Sequence, residues 1–389
     1  MHIPKARLPI IALDHTSWDG NWMNRQHILS RLGKRGWPII YSNGAKYYNE
    51  VRDTKLIGTI EEKDHVKIFH PGFIMPRNYR FKAFDKLAVK QHCAALKKKA
   101  GLKKDDAFIA FCFHPDFYPY VKELNAPYVM FHIYDIYQKL GTVENTNNAQ
   151  LLIKKANLIT AASETMWDEV VGDSHLTPNI IYNGVDFSKY ENKGSLTNII
   201  IDKVKGMPGH KIGYVGAINL KVDFELIYNV ALKCKENSFI FIGNIVEKPI
   251  VENKVASKFY KKCQQSKNIH FLGPVSGELV PHILNLMDVN TIFYTRNDQD
   301  WVQAGYPIKI NEYLAAGKPV VTSYMPILQE CFENNIAICN SVDEWRKAID
   351  LACQGDGVGT VESRKEMAKA NDWQFRVNKL EELMFRMLE

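Results

Sequence analysis

The sequence lacks the features that mark several large classes of protein. No run of about 18 uncharged apolar residues occurs in its 389 residues, so no segment resembles a transmembrane helix. The seven cysteines include no Cys-x-x-Cys pair, which argues against a disulfide framework and against a structural zinc site. The first residues contain no apolar segment typical of a secretory signal peptide. We therefore expect a cytoplasmic protein that is soluble or peripherally attached to a membrane.

Motifs of other nucleotide-handling proteins are also missing. No Gly-x-Gly-x-x-Gly follows the first apolar run, which disfavours a dehydrogenase. No Asp-x-Asp motif stands at a strand end, because Asp298-Gln299-Asp300 has that spacing but lies in a polar loop. No aromatic-interleaved basic stripe accompanies the net charge of +7, so nucleic acid is not an expected partner. We expect neither a bound metal nor a cofactor.

Part of the positive charge is concentrated at the end of one predicted helix. Lysines occupy positions 97–99, 103 and 104. Such a cluster attracts an anionic membrane surface or an acidic acceptor. The alternative is a solvated helix end, where lysines favour the helix dipole. Peripheral contact with an anionic membrane surface is therefore one candidate interaction.

Short apolar runs alternate with longer amphipathic stretches, and the pattern occurs twice. The first set of predicted strands covers residues 9–14, 38–41, 66–69, 108–113, 128–131 and 158–161. The second set covers residues 211–215, 239–242, 269–272, 289–293, 319–322 and 337–339. Strands separated by helices form parallel sheets, in which ligands bind at the carboxyl ends of the strands. We expect an α/β protein with two doubly wound, Rossmann-like domains facing a central cleft.

The boundary between these domains is predicted from composition. Residues 189–210 are rich in turn-forming residues, and we place the boundary after residue 195. The predicted N-terminal, acceptor-side domain covers residues 1–195 and is completed by a C-terminal helix at 373–389. The predicted C-terminal, nucleotide-sugar-binding domain covers residues 196–372.

Residues 305–322 read GYPIKINEYLAAGKPVVT. Three earlier segments accompany this motif in order, at residues 213–223, 241–243 and 268–275, and residues 182–186 read YNGVD. Together these segments resemble retaining glycosyltransferases of the GT-B fold, family 4 (group 1) in particular. The resemblance implies transfer of a hexose from GDP-mannose or a UDP-sugar to a glycan, lipid-linked or protein-linked acceptor, with retention.

The same motif supplies the candidate donor-binding residues. The resemblance implies that Glu312 binds the ribose diol, and a carboxylate at a helix start suits that role. Lys309 and the backbone N–H groups from Ile308 onward suit the diphosphate. The remaining candidates follow strands or lie in the same loop: Gly216, Ala217, Lys221, Gly243, Pro274, Val275, Gly305 and Tyr306. Each has a structural alternative, such as a solvated side chain or a plain turn.

The motif also departs from the family at two places. Ala304 stands where family 4 usually has a glutamate, and Ala217 stands where an arginine is common. Lys221 is the nearest candidate for the second usual cation. A nucleotide-sugar-binding protein without catalysis is therefore an alternative, as is an epimerase or phosphorylase of the same fold.

The first half contributes candidates for the acceptor side. Gly20, in a loop after the first strand, and Arg25, in the next helix, are candidate phosphate contacts. His132 and Asp135 lie at the end of the fifth predicted strand, where Asp135 is the candidate base of an inverting mechanism. The alternatives are a loop packed by its two tryptophans and a structural histidine.

Overall fold

The predicted strands form the centres of two sheets in the structure, which is a computed structural model. It describes residues 7–20, 22–50, 56–72, 76–78, 80–137, 143–172, 175–191, 198–296, 302 and 304–389. Asp298, Asp300 and most of the polar loop around them lie outside the described residues. The chain divides into unit 1, comprising Met1–Tyr182 and Trp373–Glu389, and unit 2, comprising Asn183–Asp372.

Unit 1 contains a seven-stranded sheet in the order β3-β4-β2-β1-β5-β6-β7. Its strands are β1 (Ile10–Leu13), β2 (Ile39–Ser42), β3 (Thr59–Lys63), β4 (Val66–His70), β5 (Ile109–Cys112), β6 (Tyr128–Ile133) and β7 (Leu158–Ala161). Six strands are parallel and correspond to the predicted ones. The strand order reverses between β1 and β5.

The edge strand β3 is antiparallel to β4 and was not predicted. Asp64 and His65 join the two strands, and both have positive φ, at 53° and 64°. Two such residues form the tight turn that suits the twist of a hairpin. Because β3 is mostly exposed and charged, its sequence lacks the apolar run that identified the other strands.

The helices of unit 1 alternate with its strands along the chain. They are Asn24–Lys34, Lys82–Lys99, Tyr118–Leu124, Val143–Lys155, Glu164–Val171 and Trp373–Met387, with short 3-10 turns at Tyr48–Glu50 and Pro115–Phe117. The C-terminal helix contributes Trp373, Val377, Leu380 and Met384 to the same core as the strands. This helix therefore completes unit 1.

Unit 2 contains a six-stranded, fully parallel sheet in the order β10-β9-β8-β11-β12-β13. Its strands are β8 (Lys211–Val215), β9 (Ser238–Ile242), β10 (Ile269–Phe271), β11 (Val289–Ile292), β12 (Val320–Ser323) and β13 (Ala337–Cys339). The strand order reverses between β8 and β11, as in a Rossmann sheet. The predicted class of two Rossmann-like α/β domains is confirmed.

Short helices account for much of the remainder of unit 2. Its helices are Ser188–Glu191, Ile199–Lys205, Phe224–Lys233, Glu247–Glu252, Lys254–Gln265, Val280–Leu286, Ile308–Ala315, Pro326–Phe332, Val342–Gln354 and Val361–Ala370, with a 3-10 turn at Gly277–Leu279. One of them, Ile199–Lys205, lies inside the segment of residues 189–210 in which the domain boundary was predicted, and Ser188–Glu191 overlaps the start of that segment. The boundary falls after Tyr182 rather than after residue 195, so the predicted position is corrected.

Candidate active site

In unit 2, the reversal of strand order separates the loops that follow β8 and β11. Ligands of doubly wound sheets bind at the carboxyl ends of strands beside such a reversal. Gly216 directly follows β8, and Tyr294 lies two residues beyond β11. The motif helix Ile308–Ala315 sends Lys309 to this edge, since its ammonium contacts tyrosines of both neighbouring segments. The motif and the reversal point of the sheet therefore coincide.

The motif helix begins without a side-chain cap. Pro307 occupies the N-cap position and makes no side-chain capping bond. The first N–H groups of a helix have no acceptor within it, and they favour an anion there. The use of the backbone at Ile308 and Lys309 for a diphosphate stays a prediction.

Lys309 is held between two phenols. Its Nζ donates to the hydroxyl oxygens of Tyr214 at 2.8 Å and Tyr294 at 2.9 Å. The ammonium also lies 4.3 Å from the ring centroid of Tyr214 and 5.0 Å from that of Tyr294. These contacts orient the lysine without neutralising it, because neither phenol is an acidic group of carboxylate strength.

Glu312 lies one turn beyond Lys309 and is half-buried. Burial raises the pKa of its carboxyl, while the positive charges of Lys309 and Lys189 oppose that rise. Within the described residues, no hydrogen bond or ion pair to this carboxylate occurs. A partly desolvated carboxylate with free acceptor capacity is suited to a diol.

The two candidate glycines have different roles. A Cβ at Gly216, where φ is +146°, would lie 2.7 Å from Nζ of Lys309. A Cβ at Gly243, where φ is +153°, would lie 1.9 Å from the carbonyl oxygen of Gly216. Gly216 therefore leaves space for the lysine, whereas Gly243 allows two loops of the unit to pack.

The other candidates of unit 2 surround this edge less directly. Ala217 is exposed, and its carbonyl accepts a 2.8 Å hydrogen bond from the Tyr214 hydroxyl. Lys221 contributes a positive charge that acts on Tyr294. Pro274 is exposed and Val275 is half-buried after β10, so both stay predictions as contacts of the base.

The side chain of Tyr306 is buried, so only its backbone stays a candidate contact of the donor. Its ring is buried against Phe332, with the centroids 5.8 Å apart, and its hydroxyl is hydrogen-bonded to Asn311. Its carbonyl accepts a hydrogen bond from Asn183 at 2.8 Å. The residue thus fixes the loop before the motif helix, and the half-buried Gly305 lies beside it.

His132 in unit 1 is a core histidine, which corrects its predicted catalytic role. It is fully buried, and Asn24 Nδ2 donates to its Nε2 at 3.2 Å. Because Nε2 accepts, Nδ1 carries the proton and donates to Thr160 Oγ1 at 2.8 Å. Burial lowers its pKa to about 4, so the ring is neutral.

Arg25 is likewise not available to a phosphate. Its side chain is buried, and Nε lies 3.0 Å from Oδ2 of the buried Asp14. The ion pair satisfies the charge inside unit 1, so the predicted phosphate contact is corrected. A Cβ at Gly20 would make only an ordinary contact with Ser17 at 3.6 Å, so packing does not require that glycine.

The histidines beside the reversal point of the unit 1 sheet were not predicted from the sequence. His15 follows β1 and His114 follows β5, and their ring centroids are 4.3 Å apart. Asp14 Oδ1 lies 3.3 Å from His15 Nδ1 and raises the pKa of His15. The side chain of His15 is 54% exposed, and a histidine in such a place is suited to accepting a proton. The signal was the Asp-His pair directly after the first strand.

Asp135 follows β6 and is half-buried. Its Oδ1 accepts a 2.9 Å hydrogen bond from the backbone N–H of Ile136. Its role as a base stays a prediction.

Among the described residues, no group of three His, Cys, Asp or Glu side chains is arranged to hold a metal ion. In the same part of the chain, no helix has the length and apolar character needed to cross a membrane.

Known proteins share this domain and this architecture. The family model of glycosyl transferases group 1 matches residues 199–372. Residues 199–372 are a group 1 glycosyl transferase domain. Its matched segment contains the motif helix, Gly216 and Gly243, which confirms the predicted resemblance to glycosyl transferases of group 1.

A curated relative matches more than half of this chain. TuaH of Bacillus subtilis (strain 168), named for glycosyl transfer in teichuronic acid biosynthesis, is 30% identical over 241 residues. The match covers 57% of this chain and 55% of TuaH, so it spans about half the length of that relative.

Solved structures extend the likeness over nearly the whole chain. Anabaena HepE in complex with UDP has a TM-score of 0.69 at 15% identity, covering 97% of this chain and 99% of HepE. Sucrose-phosphate synthase from Thermosynechococcus elongatus has a TM-score of 0.73 at 13% identity, covering 98% and 99%. The fold of this chain is GT-B.

Proposed function

We propose that this protein transfers a hexosyl group from a nucleoside diphosphate sugar to a hydroxyl group of an acceptor. The observation that carries the proposal is the motif helix at the carboxyl edge of the unit 2 sheet. There a carboxylate with no hydrogen-bond partner among the described residues, an oriented ammonium and the first N–H groups of the helix lie within one and a half helical turns. The group 1 domain match supports transfer rather than another reaction of the fold.

Each group has one role in this proposal. Glu312 accepts hydrogen bonds from the ribose diol of the nucleotide. Lys309 and the first N–H groups of its helix bind the diphosphate and stabilise the charge that develops as it departs. HepE forms complexes with UDP and with UDP-glucose, which favours a UDP-hexose over the GDP-mannose that the sequence also allowed.

The acceptor is proposed to be a glycan or a lipid-linked or protein-linked saccharide, and the name of TuaH favours a glycan.

The motif resemblance favours retention, in which the donor phosphate accepts the acceptor proton. In an inverting reaction, the exposed His15 and the half-buried Asp135 are the candidate bases, because His132 is buried and neutral. The anomeric configuration of the first product, followed by NMR, distinguishes the two courses.

Calorimetric titration with UDP, GDP and their sugars tests the donor site. We expect Glu312→Ala to weaken nucleotide binding by about 1–3 kcal/mol, because charged hydrogen bonds to the ribose are lost. Glu330→Ala, at an exposed glutamate of unit 2, is the matched control and should leave affinity unchanged. A wild-type protein that ignores every nucleotide would contradict the proposal. Binding without any release of nucleotide in the presence of acceptors would favour the non-catalytic alternative.

We also propose peripheral contact with an anionic membrane through the helix Lys82–Lys99. The exposed fractions of Phe81, Phe84 and Leu87 are 58%, 59% and 42%. Exposed cations accompany them at Arg80, Lys82, Lys86 and Lys90. Aromatic and aliphatic side chains among cations suit the interface of an anionic bilayer.

Flotation with vesicles tests the membrane contact. We expect binding to vesicles containing phosphatidylglycerol and little binding to pure phosphatidylcholine. Phe84→Ser should reduce the bound fraction several-fold, since the aromatic side chain no longer inserts. Phe375→Ser, at an exposed phenylalanine of the C-terminal helix, should have no effect. Equal binding to both vesicle types, or an unaffected Phe84→Ser variant, would exclude this surface.

A further inference from the structure

Three side chains from three segments meet at the reversal point of the unit 2 sheet. Tyr214 belongs to β8, Tyr294 lies just beyond β11, and Lys309 belongs to the first turn of the motif helix. Both phenols are almost fully buried, with exposed fractions of 1% and 9%. Only the lysine was predicted from the sequence, because nothing in the local pattern links the two tyrosines to it.

The hydrogen bonds of this cluster leave one donor of the lysine unused. A lysine ammonium has three N–H donors, and two of them go to Tyr214 and Tyr294. Tyr214 directs its own proton to the carbonyl of Ala217. Within the part of the chain that the structure describes, the third N–H of Lys309 has no acceptor. The cluster therefore fixes a lysine that still has donor capacity for a ligand.

The two partners of Lys309 are phenols and not carboxylates, and this determines whether its positive charge remains available to an anion. A carboxylate in either place would form an ion pair and cancel the attraction of the lysine for an anion. Neutral phenols, together with their ring faces, hold the ammonium in place and leave its charge in effect. The missing Cβ of Gly216 leaves the space that Nζ and Cε of Lys309 fill.

We propose that Tyr214 and Tyr294 are positioning residues that aim Lys309 at the departing diphosphate of the donor. This inference rests on the proposed function, because the donor diphosphate is the anion that the lysine meets. Lys309 is the group in contact with the diphosphate, and the tyrosines act through it. Without them the same charge would move over several rotamers, which costs orientation when the leaving group develops charge.

The electrostatics of Tyr294 agree with its place in the cluster. Burial alone would raise the pKa of its hydroxyl. The positive charges of Lys309 and Lys221, with the hydrogen bond from Lys309, outweigh that effect and lower the pKa. The neighbouring Tyr214 has a pKa well above its ordinary value because of burial. Tyr294 is thus the phenol whose pKa depends on the charge of Lys309.

A double-mutant cycle on the full chain tests the inference, with UDP and inorganic pyrophosphate as probes. Tyr294→Phe and Tyr214→Phe each remove one hydroxyl and keep the ring. We expect each to weaken binding of both probes about 5- to 20-fold, and to change it less than about twofold in a Lys309→Ala background. Tyr260→Phe, at a buried tyrosine of the same unit, should not change affinity.

Ultraviolet titration of tyrosine ionisation gives a readout that a merely structural role would not change. The wild type should contain a tyrosine that ionises at lower pH than the others, and Tyr294→Phe should remove it. Lys309→Ala should shift that ionisation upward, since the main lowering charge is lost. Thermal unfolding measured in parallel shows whether each variant is folded.

The possible results separate the inference from the proposed function. Unchanged affinity in the Tyr→Phe variants, or equal losses with and without Lys309, would overturn the positioning role. If Glu312→Ala still weakens UDP binding in that case, the donor site stands. If the wild type binds neither UDP, GDP nor pyrophosphate, the proposed function itself fails.

Discussion

At the scale of single residues, local chemistry predicted some roles and not others. Glu312 and Lys309 were identified because the motif places them on one short helix. The roles predicted for His132 and Arg25 were wrong because their partners come from other elements of unit 1. The partners of His132 are Asn24 and Thr160, and the partner of Arg25 is Asp14. A sequence shows that a histidine ends a strand, but it does not show which polar groups surround the ring.

The burial of His132 predicts that the free energy of unfolding decreases at acidic pH. In the unfolded chain, its ring titrates near the ordinary pKa of about 6.5, whereas in the fold its pKa is about 4. The unfolded state therefore takes up the proton first. Stability falls as pH drops from about 6.5 to 4, by up to about 1.4 kcal/mol per pH unit for this group. His92, whose pKa burial lowers to about 3, acts in the same direction.

Urea unfolding followed at pH 7.5 and pH 5.0 measures this loss. His132→Asn should be less stable than the wild type at pH 7.5 and should lose less stability on acidification, by about 2 kcal/mol. His175→Asn, at an exposed histidine of unit 1, should keep the wild-type pH dependence. An equally steep pH dependence in His132→Asn would show that this ring is not the titrating group.

At the scale of elements, buried strands were predictable and exposed elements were not. The apolar runs predicted twelve strands of the two sheets, because parallel strands are covered on both faces. The edge strand β3 escaped, since its side chains are mostly exposed. Helices such as Ile199–Lys205 escaped as well, because they lie in a segment whose composition resembles a linker.

The two glycines that follow β8 and β9 permit a matched prediction. Gly216→Ala places its Cβ against the flexible end of Lys309, so the lysine moves and the fold is retained. We expect about a tenfold loss of UDP affinity and a stability cost of about 1–2 kcal/mol from the positive φ. Calorimetry and thermal unfolding of the same preparation measure both effects.

Gly243→Ala serves as the counterpart. Its Cβ meets the backbone oxygen of Gly216, which has no side-chain freedom to yield. We expect a larger loss of stability, of about 3 kcal/mol or more, through backbone strain. If Gly243→Ala were as stable as Gly216→Ala, or if Gly216→Ala bound UDP normally, the assigned difference between the two glycines would be wrong.

At the scale of the whole molecule, adjacent residues at each crossing belong to different units. Tyr182 hydrogen-bonds to Glu164 of unit 1, while the side chain of Asn183 donates to Tyr306 of unit 2. Asp372 accepts from the backbone N–H of Phe187 in unit 2. The next residue, Trp373, stacks on His27 of unit 1 at 4.8 Å. These partners are distant in sequence, so composition alone placed the first crossing too late.

The C-terminal helix Trp373–Met387 packs in the core of unit 1, so the stability of unit 1 depends on this helix. Leu380 is fully buried in the core that also contains Leu29 and Trp37, whereas Phe375 on the same helix is 55% exposed. Leu380→Ala removes buried methyl groups and leaves a cavity, so we expect a loss of about 2–5 kcal/mol in unit 1. Phe375→Ala should change stability by less than about 0.5 kcal/mol.

Most of the chain's tryptophans lie in unit 1, so their fluorescence during urea unfolding reports on that unit. UDP binding in the absence of urea reports on unit 2. Leu380→Ala should shift the fluorescence transition to lower urea and leave UDP affinity within about twofold, because it lies in the other unit's core. An unshifted transition would contradict the placement of this helix in the unit 1 core. A large loss of UDP affinity with an unshifted transition would instead connect the helix to the donor site.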